Sequence, residues 1–178
     1  GRSIFLTGAT GSFAVAFIRR ALAHGVRRIV AFSRDELKQA TLAHALGSPS
    51  ALRLFLGDVR DADRLAWAMR GCDTVVHAAA LKRIESCEAN PTEAVQTNVT
   101  GTLNVAKAAI HAGIQNAVFL STDKAPNAAT LYGATKFCAE RLWVQSNVLA
   151  AGSHTRLIAV RYGNVVGSRG SVVEIFLR

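Results

Sequence analysis

A chain of 178 residues is long enough to bury the core of one α/β domain. Half of its residues are apolar, which excludes a disordered or collagen-like polymer, and no apolar stretch reaches the roughly 18–20 residues that cross a bilayer. The formal charge of +9 invites a nucleic-acid reading, but the Lys and Arg residues are dispersed rather than striped along one face. No nucleic-acid partner is therefore expected. Cys72, Cys87 and Cys138 are odd in number, widely scattered and in no CxxC pair, the pattern of reduced thiols, so a cytoplasmic location is expected. No charged-then-apolar leader precedes the first apolar run. The run Glu174–Arg178 breaks off without a stop signal, so residues 1–178 read as one domain belonging to something longer.

Strand-like and helix-like periodicities alternate along the chain. Ser3–Thr7 reads as a buried strand and Ser12–Ala23 as a helix; Arg28–Phe32 and Arg34–Leu46 repeat the pair, the helix opening on an Asp35 cap. Leu52–Leu56 and Ala62–Met69 follow, then Thr74–Ala78 and a long helix over Pro91–Ala112 with proline in its first turn. Ala117–Ser121, Leu131–Ala150 and Thr155–Arg161 complete the series. Gly25, Gly71 and Gly113 each follow a helical run, where a left-handed C-cap belongs. Strands alternating with helices imply right-handed βαβ units and a doubly wound parallel sheet, the Rossmann architecture in three layers.

The run Thr7-Gly8-Ala9-Thr10-Gly11-Ser12-Phe13-Ala14 joins the first strand to the first helix. Gly8 permits a tight turn, Gly11 lets backbone approach a pyrophosphate, and Ala14 lets helix pack on strand. The helix N-terminus then offers amides and a positive dipole end to phosphate. The spacing is GxxGxxA rather than GxGxxG, and by itself it fits a structural turn as well. With five βα units behind it, it reads as a dinucleotide site, with Thr10, Ser12 and Phe13 at the cofactor. After the second strand, Ser33 and Arg34 stand where an acidic residue would bond a ribose 2′-hydroxyl. A guanidinium there suits a 2′-phosphate, with Lys38 one turn on, so NADP is expected; a solvated helix start is the alternative. Asp58 and Val59 end the third strand and Ala78, Ala79 and Ala80 the fourth, leaving room for adenosine. Asp58 suits an adenine amino group or a helix cap equally.

Tyr132 and Lys136, at i and i+4, share one helix face. A tyrosine with an ordinary pKa of about 10 is a poor base at neutrality, and a neighbouring ammonium lowers that value. Asp123 and Lys124 follow the fifth strand, where doubly wound folds place their ligands. For acid–base work, Lys124 needs its pKa brought down and Asp123 needs its carboxyl raised.

These residues resemble the extended short-chain dehydrogenase/reductase family along essentially the whole chain, and within it the UDP-N-acetylglucosamine 4,6-dehydratases of the carbon-5-inverting type. The motifs that carry the likeness are TGATGSFA (Thr7–Ala14), SRDELKQ (Ser33–Gln39), GDVRD (Gly57–Asp61) and HAAALK (His77–Lys82). NPTEAVQTN (Asn90–Asn98), LSTDKA (Leu120–Ala125), LYGATK (Leu131–Lys136) and RYGNVVGSRGS (Arg161–Ser171) continue it. The resemblance implies that Tyr132 takes the proton of the sugar 4-hydroxyl while hydride leaves carbon 4. It implies that Lys124 removes the carbon-5 proton, that Asp123 protonates the departing 6-hydroxyl, and that hydride returns to carbon 6. It places Thr122 at the 4-oxygen, Asn98 beside a water or the active-site lysine, and Lys82, Asn164 and Arg169 toward the nucleotide sugar. Large membrane-anchored relatives and some soluble retaining ones commonly carry Met at the position of Tyr132, so by resemblance the tyrosine favours the soluble inverting type. Association through the helices bearing Asn98 and Tyr132 implies a homo-oligomer.

The five histidines lie on separate elements with no paired spacing, so no metal is expected. Trp67 and Trp143 read as core residues, and His77 as structural or beside the cofactor. The rivals are a nucleotide-sugar 4-epimerase, which needs no Asp–Lys pair, and a non-catalytic NADP-sensing protein.

Overall fold

The computed structural model describes residues 1–165. Six parallel strands, β1 (Ser3–Thr7), β2 (Arg28–Ser33), β3 (Leu52–Leu56), β4 (Thr74–His77), β5 (Asn116–Leu120) and β6 (Arg156–Val160), form one sheet in the order β3-β2-β1-β4-β5-β6. This is the doubly wound sheet expected from the alternating pattern. Helices α1 (Ser12–Ala23) and α2 (Glu36–Ala45) connect the first three strands; α3 (Ala62–Ala68) precedes β4, and α7 (Leu131–Leu149) links β5 to β6. The chain winds outward through β2 and β3, then returns to the other side of β1 at β4. The crevice at the carboxyl ends of β1 and β4 is thus the topological switch point, where such sheets bind ligands.

The sheet's period of two divides the core between its faces. Ile4, Leu6, Ile29, Ala31 and Val76 point toward Ile18 and Leu42, whereas Phe5, Val30, Phe32, Val75 and Phe119 join Leu65, Val105 and Trp143. Trp143 is fully buried, stacks with His77 and meets a tilted Phe119 ring, both at centroid separations of 5.6 Å, and donates its indole N–H to Ile158 O at 3.1 Å. Trp67 is 58% exposed, contrary to its expected place in the core. Strand β3 is a sheet edge, so residues packed on it are shielded by fewer neighbours; there Trp67 meets the Phe55 ring edge-on. Arg64 lies over Phe55 at 4.3 Å and donates from Nε and Nη2 to Leu56 O at 3.0 and 2.9 Å.

Helix ends follow their caps. Asp35 accepts from Lys38 N and Asp61 from Arg64 N, both at 2.9 Å, each satisfying an amide the helix leaves unpaired. Gly25, Gly71 and Gly113 all have left-handed φ, as expected of C-caps.

The region read as one long helix is more broken than its periodicity suggests. It comprises α5 (Pro91–Val95), a π turn (Gln96–Thr100) and α6 (Gly101–His111), preceded by a short α4 (Ile84–Ala89). The π turn is closed by Gly101 N donating to Gln96 O, five residues back. A Cβ at Gly101 would stand 2.6 Å from Val59 Cγ2, so only glycine lets the helix approach the β3–α3 corner this closely. The side chain of Asn98 leaves the helix to bond Leu81: Oδ1 accepts from Leu81 N at 2.8 Å, and Nδ2 donates to Leu81 O at 3.0 Å.

A directed hydrogen-bond chain links this turn to β1. Thr102 Oγ1 donates to Asn98 O at 2.6 Å, so toward His77 it accepts, from Nε2–H at 2.9 Å. His77 Nδ1 is then the acceptor of the Thr7 hydroxyl at 2.6 Å, and Thr7 Oγ1 accepts from the amides of Ala78 and Ala79 at 3.1 Å each. The imidazole is fully buried, and desolvation together with the charge of Lys136 pushes its pKa down to about 3.

His77 is therefore neutral when folded, whereas its unfolded form binds a proton below pH 6.5. Between pH 6.5 and 3 the unfolded state holds one more proton, so stability falls with acidification by up to about 1.4 kcal/mol per pH unit. His77→Gln should flatten that slope in urea-denaturation curves recorded from pH 4.5 to 7. Its stability at pH 7 should drop by about 2 kcal/mol as the buried bonds are lost. An acid slope equal to the wild type's would refute the assignment.

Candidate functional site

The switch-point crevice has a volume of about 870 Å³. At one end stands the glycine turn. Gly8 has φ +64°, and a Cβ there would lie 2.8 Å from Ala79 N and 2.9 Å from Ala78 O. Both the left-handed backbone and the contact with the end of β4 exclude a side chain. Gly11 N closes the turn on Gly8 O at 2.9 Å, and a Cβ on Gly11 would press on that oxygen at 3.2 Å. Helix α1 begins here with no acidic residue in its first turn, so its positive end faces the crevice uncompensated. A cradle with glycine at two of its positions, set at a helix N-terminus, fits a diphosphate.

Gly8, Thr10, Gly11, Ser12 and Phe13 line this end; Val59, Ala78, Ala79 and Ala80 line the middle. Ser33, Arg34 and Lys38 line the flank beside β2. Their charges are locally matched: Lys38 Nζ lies 2.6 Å from Asp35, and Arg34 Nη1 lies 3.5 Å from Asp58. Asp58 does not line the crevice. Its carboxylate accepts from Arg60 Nη2 at 2.7 Å and Nε at 3.0 Å, and although burial opposes it, Arg60 holds the carboxyl below its ordinary range. The helix-cap reading of Asp58 does not hold, since Asp61 caps α3.

At the opposite end the crevice meets Thr122, Lys124, Tyr132 and Asn164, together with Lys82 and Tyr162. Tyr162 carried no expectation from the sequence, because an isolated tyrosine after a strand has no spacing signal. Two loops build this end, one after β5 and one after β6. Ser121 N donates to Val160 O at 2.8 Å and Asp123 N to Tyr162 O at 3.1 Å, extending the β5–β6 ladder past both strands. Lys124 Nζ bridges Asp123 Oδ1 and Asn164 Oδ1, each at 3.0 Å. Gly133 brings α7 against the first loop: a Cβ there would lie 3.0 Å from Lys124 O.

Charge states differ from those the acid–base roles need. Hydrogen bonds from Lys124 and Thr122 hold the Asp123 carboxyl below its ordinary range, opposite to the raised value of a proton donor. Asp123 does not itself line the crevice. Burial raises the Tyr132 phenol, only partly offset by its hydrogen bond with Thr122. The ammonium expected to lower it is elsewhere: Lys136 Nζ donates to Leu120 O at 2.7 Å and lies 3.9 Å from the centre of the Phe119 ring. Lys136 is on the expected helix, but its long side chain finds this buried carbonyl at the end of β5. Asn98 likewise holds Leu81 and Thr135 rather than a lysine, with Nδ2 donating to Thr135 Oγ1 at 3.0 Å. Arg169 lies outside the described residues.

Burial lowers the Lys136 pKa to about 7, against the restoring charge of Glu140. Between pH 7 and 10.5 the unfolded lysine binds a proton that the folded one does not, so stability rises with pH across that window. In ligand-free protein, Lys136→Met should remove a rise of about 1.4 kcal/mol per pH unit, measured by urea unfolding between pH 7.5 and 9. Parallel curves for variant and wild type would show that Lys136 is charged in place.

Sequence comparison adds relatives to this geometry. Residues 4–178 match the family model described as polysaccharide biosynthesis protein. An inverting UDP-N-acetylglucosamine 4,6-dehydratase of Campylobacter jejuni is 46% identical over 177 residues, covering 99% of this chain and 53% of the relative. A UDP-glucose 4-epimerase of Rickettsia akari is 41% identical over 180 residues, covering 99% and 52%. The crystal structure of DesIV, a dTDP-glucose 4,6-dehydratase from Streptomyces venezuelae with NAD bound, superposes with a TM-score of 0.79. It is 26% identical, over 89% of this chain and 55% of DesIV. The chain spans about half the length of the curated relatives it matches. By its sequence from residue 4 onward, and with a sheet that superposes on a nucleotide-sugar enzyme, the chain belongs to the polysaccharide biosynthesis protein family.

Proposed function

We propose that this chain carries the cofactor-binding and acid–base residues of a UDP-N-acetylglucosamine 4,6-dehydratase that uses NADP and inverts carbon 5. The observation that carries the reading is one crevice with a diphosphate cradle at one end and Thr122, Lys124, Tyr132 and Asn164 at the other. The inverting dehydratase of Campylobacter jejuni supports the reaction type. The bound nicotinamide would accept hydride from carbon 4 and return it to carbon 6.

The residues divide the remaining chemistry. Tyr132, bonded to Thr122, receives the proton of the 4-hydroxyl. Burial keeps its phenol protonated in the ligand-free crevice, so the base form requires a cation beside it. Lys136, one turn along α7, supplies that cation by exchanging its bond to Leu120 O for a ribose hydroxyl of the cofactor. Lys124 removes the carbon-5 proton, made acidic by the 4-ketone, and Asp123 protonates the 6-hydroxyl as it leaves. A bound sugar that displaces water from Asp123 raises its carboxyl toward that role. Lys82, Asn164 and Arg169 are assigned to the nucleotide sugar. Arg34 and Lys38 are assigned to the 2′-phosphate, which would draw them from Asp58 and Asp35.

The Rickettsia relative favours a second reading, 4-epimerisation, which shares the cradle and Tyr132 but leaves Asp123 and Lys124 without a task. Incubating the full chain that carries this sequence with UDP-N-acetylglucosamine and NADP⁺, followed by NMR, separates the two. A 4-keto-6-deoxy sugar is expected; UDP-N-acetylgalactosamine alone would replace our reading with the second. Lys124→Ala should cut turnover by about 100-fold or more while leaving NADP⁺ affinity unchanged. Arg34→Ala should weaken NADP⁺ by about 10-fold and NAD⁺ hardly at all, measured by calorimetric titration. Equal losses for both cofactors would remove Arg34 from the 2′-phosphate site.

A further inference from the structure

The functional reading leaves one buried carboxylate without a role. Glu140 lies two helical turns past Tyr132, on the face of α7 that carries Lys136. Its side chain is 9% exposed and its two oxygens are fully engaged. Ser121 Oγ donates to Oε2 at 2.5 Å, Arg161 Nη2 donates to Oε1 at 2.6 Å, and Arg161 Nε reaches both oxygens at 3.0 and 3.2 Å. Arg161 holds the Glu140 carboxyl below its ordinary range, working against burial.

The partners of this carboxylate stand at two particular places. Ser121 begins the loop that bears Thr122, Asp123 and Lys124; Arg161 begins the loop that bears Tyr162 and Asn164. Beyond them the loops touch through Asp123 N to Tyr162 O and Lys124 Nζ to Asn164 Oδ1. A planar guanidinium gripping both carboxylate oxygens fixes direction as well as distance, which a single contact does not. Tyr132 needs no such fastening, because it is part of α7 itself.

We propose that Glu140, Arg161 and Ser121 form a positioning clamp that sets Asp123, Lys124 and Asn164 against Tyr132. They act on the carbon-5 and carbon-6 proton transfers and not on hydride removal at carbon 4. None of the three clamp residues lines the crevice. The division into two steps rests on the dehydratase reading, whereas the fastening of the loops to α7 does not.

The test uses the full chain loaded with NADP⁺ and given UDP-N-acetylglucosamine in a single turnover. In Arg161→Met, the rise of reduced-cofactor absorbance should stay within about threefold of wild type. Carbon-5 exchange with deuterated solvent and product formation should fall by about 100-fold, the cost of misplacing reacting groups by about 1 Å. Reduced cofactor and 4-keto sugar then accumulate, their electrons balanced by the hydride taken from carbon 4. Arg161→Lys, which keeps the charge but not the two-point grip, should fall between wild type and Arg161→Met. Parallel loss of both steps, or no loss in either, overturns the proposal.

Amide hydrogen exchange on the ligand-free protein tests the fastening separately. In Arg161→Met the amides of Ser121 and Asp123 should exchange at least about 10-fold faster, while those of α7 at Thr135 and Lys136 keep their protection. Unchanged exchange at Ser121 and Asp123 overturns the clamp whatever reaction the wild type catalyses. Wild type that makes no 4-keto product, with the exchange pattern intact, overturns the dehydratase reading and the assignment of steps while leaving the fastening in place.

Discussion

The hydroxyl of Thr7 meets an imidazole and two backbone amides at the point where β1 gives way to the glycine turn, and much of the site's geometry follows from how those three contacts are shared. The proton goes to His77 Nδ1 and the lone pairs take the amides of Ala78 and Ala79. That arrangement holds β4 close enough to Gly8 to exclude a side chain there. His77 can accept on Nδ1 only because Nε2 carries the proton, and Nε2 carries it because the Thr102 hydroxyl is committed to Asn98 O. Packing against Phe119 and Trp143 keeps the ring dry and uncharged. The phosphate cradle and the π turn are therefore positioned by one series of bonds with one allowed direction.

From the π turn the same order reaches the far end of the crevice. Asn98 spends its side chain on Leu81 and Thr135, fixing the segment that leads to Lys82 and the first turn of α7. Thr135 Oγ1 in turn donates to Tyr132 O at 2.9 Å. The backbone around the site is thus built without ligand, while its charges are arranged for rest. Lys136 is banked against Leu120 O, Asp123 is ionised by Lys124, and Tyr132 keeps its proton.

The six strands and the glycine turn were legible in the sequence because burial and backbone geometry depend on local pattern. Phe5 and Leu6 alternate faces whatever lies far along the chain, and Gly8 announces a left-handed turn by itself. The fate of long polar side chains was not legible. Lys136 has four rotatable bonds and a buried carbonyl within reach sixteen residues away, which helical spacing from Tyr132 does not reveal. Asn98 looked like a helix residue facing an active site, yet its partner lies across the fold at Leu81. Helix α4 has six residues, too few for periodicity to register, and Glu140 joined no motif because its partners Ser121 and Arg161 are about twenty residues away on either side.

Strand β3 carries a different consequence. A parallel sheet ends in a row of backbone groups able to recruit a foreign strand, and here that row includes the apolar side chains of Leu54 and Leu56. Arg64 closes it by placing a guanidinium on Leu56 O and spreading over Phe55 beside Trp67. The exposed tryptophan and Arg64 together cover one end of that edge, where a foreign strand would otherwise find Leu56 O free to pair.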